Sequence, residues 1–71
     1  MSITLHATAY HRIERDYIGH YTITRLADGE NVYQQGDDAL VVEDAFGIDD
    51  RGNLRALALD HFDRLCEDFL P

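Results

Sequence analysis

The stretch Tyr21-Thr22-Ile23-Thr24-Arg25-Leu26-Ala27-Asp28-Gly29-Glu30-Asn31-Val32-Tyr33-Gln34-Gln35 decides the fold class. Tyr, Thr, Ile and Val are the residue types that fit a pleated, half-buried surface. Two runs of them flank Asp28-Gly29, and both residues of that dipeptide tolerate the backbone a tight turn requires. The reading is a β-hairpin: one strand from Ile18 to Leu26, a turn over Ala27-Asp28-Gly29-Glu30, and a returning strand from Asn31 to Gln35.

Working toward the N-terminus, Ile3, Leu5, Ala7 and Ala9 alternate with Thr4, His6, Thr8 and Tyr10. That is the period of a strand with one buried face, so Ser2 to Tyr10 reads as the first strand. Arg12 to Asp16 is charged and reads as a turn. Working toward the C-terminus, Gly36-Asp37-Asp38 precedes Ala39 to Phe46 and then Gly47. Acids before a short run and glycine after it suggest two turns of helix, although β-branched Val41 and Val42 leave a fourth strand open. Asp49-Asp50-Arg51-Gly52 is a turn by composition, and Asn53 is a good cap for a helix beginning at Leu54.

From Leu54 the pattern changes to helical period. Leu54, Ala58, Phe62, Leu65 and Phe69 recur on one side with Cys66 at the margin, which predicts a helix over 54–69. Asp60, Asp63 and Glu67 line its opposite side, with Arg64 among them. The expected architecture is α+β: a small antiparallel sheet of three or four strands under a C-terminal amphipathic helix, with room for a short second helix. Its 71 residues are expected to form a single domain with a thin core, for which a second copy is a natural source of extra burial.

Fourteen acidic residues oppose six arginines, lysine is absent, and the formal net charge is −8. Such a chain is not expected to hold nucleic acid or an anionic membrane directly, because both need basic surface. A basic partner protein suits it better. No apolar run is long enough to span a bilayer, and Met1 to Tyr10 lacks a signal-peptide pattern, so a cytoplasmic protein is expected. The single cysteine, Cys66, has no internal partner for a disulfide and reads as a small buried hydrophobe.

Candidate chemistry is sparse. His6 and His20 would share a solvent face if the first two strands pair, but His11 falls in the turn and His61 on the distant helix, so neither a metal nor another cofactor is expected. Cys66 and His61 are five residues apart on a helix and point in different directions. Ser2 is the only serine, and Arg51 stands where a calcium loop needs a ligand. The adjacent acids Asp37-Asp38, Glu43-Asp44 and Asp49-Asp50 suit turns and caps, and the expectation is binding rather than catalysis.

What remains is the distribution of charge: eight acids and no basic residue between Leu26 and Asp50. In size, acidity and simple build the chain resembles small acidic proteins that phages and mobile elements use against host defences, such as anti-CRISPR and anti-restriction proteins that mimic DNA. No motif contributes to the resemblance. It implies an inhibitor that acts in the host cell cytosol by filling the nucleic-acid groove of a CRISPR-Cas or restriction complex. The candidate contact residues are Asp37, Asp38, Glu43, Asp44, Asp60, Asp63 and Glu67. The alternative is an accessory or antitoxin-like subunit that associates, for instance as a homodimer, through an apolar helix face widened by Leu57, Leu59 and Leu70.

Overall fold

The computed structural model describes residues 1–71. Four strands, β1 (Ser2–Ala7), β2 (His11–Asp16), β3 (Tyr21–Arg25) and β4 (Asn31–Gln34), precede three helices, α1 (Asp37–Phe46), α2 (Ala56–Asp60) and α3 (Phe62–Phe69). The strands form an antiparallel meander in the order β1-β2-β3-β4. The architecture is α+β, as the two hydrophobic periods predict.

The hairpin stands where the sequence places it. Thr24 pairs with Asn31, Ile23 with Val32 and Tyr21 with Gln34, while Gly29 supplies φ 76° in the connecting loop. The strand begins at Tyr21 rather than Ile18, and Tyr17 and Ile18 are exposed in the preceding turn.

The expected turn over Arg12–Asp16 is instead the strand β2. It pairs with β1 on one side and β3 on the other, with Ile13 opposite both His6 and Ile23. Charge misleads here because the strand is central yet has polar neighbours on both faces. Ile13 is fully buried, and Arg12 pairs along the strand with Glu14 at 2.8 Å. β1 correspondingly stops at Ala7, and the chain turns back through Thr8–Tyr10. The Thr8 hydroxyl accepts from the backbone N–H groups of Tyr10 and His11.

β1 contains a bulge, where the register with β2 shifts between Thr4 and His6. A bulge places two successive residues against one on the partner strand. Leu5 and His6 both reach the helix side: Leu5 packs on the core and His6 meets the Phe62 ring edge-on at 4.6 Å. His6 therefore does not share a solvent face with His20, which instead meets the Tyr33 hydroxyl at 2.8 Å. β2 lies between β1 and β3, so the strands that lead to these two histidines do not pair.

α1 resolves the helix-or-strand alternative in favour of helix and begins two residues before Ala39, at Asp37. Asp37 and Asp38 occupy its first turn, where carboxylates suit the positive end of the helix dipole. Gly47 ends it in the left-handed conformation, φ 61°, with the N–H groups of Gly47 and Ile48 returning to the carbonyls of Asp44 and Glu43.

The single helix expected over 54–69 is two helices. Asn53 does not cap: its side-chain amide donates to Asp49 at 3.3 Å, and Arg55 stands at the start of α2. His61, at φ −120° and ψ 23°, separates α2 from α3. Neither proline nor glycine marks that break, so helical periodicity runs through it in the sequence. The core residues continue across it, with Ala58 before the break and Phe62, Cys66 and Leu70 after it.

Ten residues form that core: Ile13, Tyr21 and Ile23 from the sheet, Ala39, Val42 and Phe46 from α1, and Ala58, Phe62, Cys66 and Leu70 from the C-terminal segment. Phe46 sits between Phe62 and Phe69, at centroid distances of 5.8 and 5.9 Å. Phe62 packs against His6 and Phe46, whereas Ile3 on β1 remains exposed. Leu70 is buried rather than part of an outward apolar margin; Leu57 and Leu59 are exposed. No helix is long and apolar enough to cross a membrane.

Candidate partner-binding surface

The seven acids singled out in the sequence fall into two groups with different environments. On α1, Asp37, Asp38 and Asp44 are exposed, and none enters an ion pair within the chain. Leu40 and Val41, 61% and 55% exposed, stand among them. α1 thus turns Ala39, Val42 and Phe46 inward and presents a mixed acidic and apolar face outward. Glu43 lies at the margin of that face, half-buried, and accepts a hydrogen bond from the Tyr21 hydroxyl at 2.7 Å. Burial and this bond both hold the Tyr21 phenol above its ordinary range.

The acids of the C-terminal segment are separated by the break at His61. Asp60 ends α2 and is exposed, whereas Asp63 and Glu67 on α3 turn toward the sheet. Asp63 Oδ1 accepts from the Thr8 hydroxyl and lies 2.9 Å from His11 Nδ1. Glu67 Oε2 lies 2.5 Å from His11 Nε2, and its two oxygens accept from Arg25 Nε at 2.9 Å and Arg25 Nη2 at 2.8 Å. Arg25 also reaches Asp28 at 3.1 Å. The expected exposed stripe of Asp60, Asp63 and Glu67 is therefore not one surface.

His11 is the centre of this arrangement. It is 5% exposed, and each ring nitrogen faces a carboxylate oxygen, which can only accept. An imidazolium satisfies both contacts at once; a neutral ring satisfies one. Burial works to lower the His11 pKa, but hydrogen bonds and charge from Glu67 and Asp63 outweigh it and raise it above 6.5. The Arg25 fork, with His11 second, pulls the Glu67 carboxyl down to about 2. Asp63 is lowered too, because its bonds to Thr8 and His11 outweigh its desolvation. The cluster ties α3 to β2, β3 and the Thr8 turn.

Sequence reasoning missed His11 and Arg25. They are directly opposite each other on adjacent strands, but only correct assignment of β2 reveals that pairing. Beside the cluster lies a groove of about 650 Å³ lined by Ala9, Tyr10, Leu26, Ala27 and Arg64 together with the cluster itself. The His11, Arg25, Asp63 and Glu67 side chains that line it are already paired with one another.

Cys66 is fully buried, and burial pushes its thiol up to about 12. Such a thiol stays protonated and is a poor nucleophile. Asp49 acts as a loop anchor, accepting from the backbone N–H groups of Arg51 and Asn53 at 2.9 Å each. No family model, curated protein or solved structure matches the chain.

Proposed function

We propose that this chain is a protein-binding inhibitor that sets an acidic surface into the nucleic-acid-binding groove of a basic partner, such as that of a CRISPR-Cas or restriction complex. The contact element is α1. One observation carries this reading: Asp37, Asp38 and Asp44 stand exposed and unpaired beside exposed Leu40 and Val41, within a stretch from Leu26 to Asp50 that contains no basic residue. Carboxylates already neutralised inside the chain, as Asp63 and Glu67 are, contribute less to such a field. Free ones attract Arg and Lys, speed encounter and fix orientation. The apolar pair adds area that a purely charged patch lacks.

The competing reading, an accessory or antitoxin-like subunit that docks through exposed Leu57 and Leu59, makes the opposite prediction about charge. The discriminating variant is Asp37→Lys with Asp44→Lys. Lysine loses helix-dipole stabilisation at the start of α1 and gains it near the end, so the fold should be little affected. Wild-type and variant chains would be used as bait in native host extract, and affinity for the captured protein measured at several salt concentrations. The inhibitor reading expects affinity to fall by several kcal/mol in the variant, a slower association rate, and strong weakening of the wild-type complex by salt. Unchanged binding by the variant, with loss on Leu57→Ser, would replace it with the subunit reading.

A further inference from the structure

The sheet has two outer strands, and they are protected differently. β4 has four residues, with Asp28 and Glu30 just before it and Asp37 and Asp38 soon after. Short length and flanking charge keep an outer strand from pairing with another chain. β1 has six residues and pairs only with β2. None of the fourteen acids or six arginines lies between Met1 and Tyr10. Its outer row of backbone N–H and C=O groups has no partner within the chain.

The side chains along this edge are also incomplete. Ile3 lies two residues before Leu5, on the same side of the strand, yet it is 64% exposed while Leu5 packs on the core. Met1 and Tyr17 flank the Ser2–Asp16 pair and are both exposed. The bulge at Leu5 bends the strand but introduces no charge that would repel a neighbour.

We propose that β1 is a dimerisation edge: a second copy of this chain adds its own β1 antiparallel about a two-fold axis at Thr4, joining the two sheets into one of eight strands. Electrostatics selects the occupant. Two chains of net charge −8 repel wherever their acids meet, and β1 is an edge to which neither brings a charged side chain. A basic protein, by contrast, finds no electrostatic attraction at an uncharged strand and is drawn to the acids of α1 instead. Pairing about Thr4 sets Ile3 against Leu5 of the partner subunit, covering the side chain that the monomer leaves open. The contact is isologous, so a single strand supplies both halves of it.

The test is molar mass by light scattering or sedimentation from micromolar to millimolar concentration, with wild-type, Ile3→Lys, Leu57→Ser and Thr4→Cys chains. The wild type should approach twice 8.1 kDa as concentration rises. Ile3→Lys, at an exposed position, should fold normally by circular dichroism and raise the dimer dissociation constant about tenfold or more, since the lysine would stand against Leu5 of the partner subunit and pairing would desolvate its charge without a partner. Thr4→Cys brings two thiols to the axis and should give a disulfide-linked dimer under mild oxidation, a readout to which the buried Cys66 does not contribute. A wild type that stays monomeric throughout overturns the proposal. So does a dimer that ignores Ile3→Lys, that Leu57→Ser abolishes, or that Thr4→Cys fails to cross-link. The Asp37→Lys and Asp44→Lys pair should leave the dimer intact, which separates this test from that of the inhibitor reading.

Discussion

Replacing His11 with Ala removes the one cation that both Asp63 and Glu67 contact, and the size of the loss should depend on pH. Hydrogen bonds to charged groups contribute about 1.5 to 3 kcal/mol each when sheltered. Here the imidazole is sheltered, but the Asp63 and Glu67 side chains are 41% and 45% exposed, so water compensates much of what they lose. The total cost near pH 6 should be about 1 to 3 kcal/mol, rather than the sum of two full bonds. The folded-state pKa of His11 is raised above 6.5, so its charge stabilises the fold fully below 6.5, and that contribution is lost as pH rises through the raised value. Glu67 behaves oppositely. Its lowered pKa of about 2, against 4.5, stabilises the fold above 4.5 and ceases to do so as pH falls toward 2. The ion cluster should therefore contribute most between roughly pH 4.5 and 6.5. Urea denaturation of wild type and His11→Ala at pH 5.5, 7.5 and 9.5 measures the difference directly. It should shrink with rising pH; a gap that is constant across the series would refute the imidazolium clamp.

Phe62→Ala removes a ring that touches His6 and Phe46 in a small core and should cost about 3 to 5 kcal/mol. That is much of the stability of such a domain, so loss of cooperative thermal unfolding is the expected result, and a shift of the chemical midpoint worth less than about 1 kcal/mol would contradict it. Gly47→Ala should destabilise by more than about 1 kcal/mol, because the residue has φ 61° and an added Cβ would stand 2.6 Å from Arg55 Cβ. A melting temperature equal to that of the wild type would show that α1 can end differently. Asn53→Ala, at a position that does not cap α2, should change stability by less than about 0.5 kcal/mol in the same denaturation assay.

By itself the sequence determined the hairpin around Asp28-Gly29, the α+β class and the burial of Cys66, while the helix ending at Gly47 was one of two readings it left open. Each rests on local backbone preference or on a hydrophobic period that survives in one dimension. Only the tertiary structure decided β2, where a single apolar residue, Ile13, lies between charged neighbours that sheet pairing accommodates. It also decided the break at His61, which neither proline nor glycine encodes, and the packing of α3 on the sheet, which makes Asp63 and Glu67 partners of His11 and Arg25 rather than an outward stripe. Those four residues lie on β2, β3 and α3, more than forty positions apart at the extremes. Spacing along a chain reports which residues share a face of one element, and it carries no information about which faces meet. Asp37, Asp38 and Asp44 of α1 were legible as exposed because they lie away from the apolar positions Ala39, Val42 and Phe46, whereas Glu43 and the acids of α3 depended on what the sheet placed opposite them.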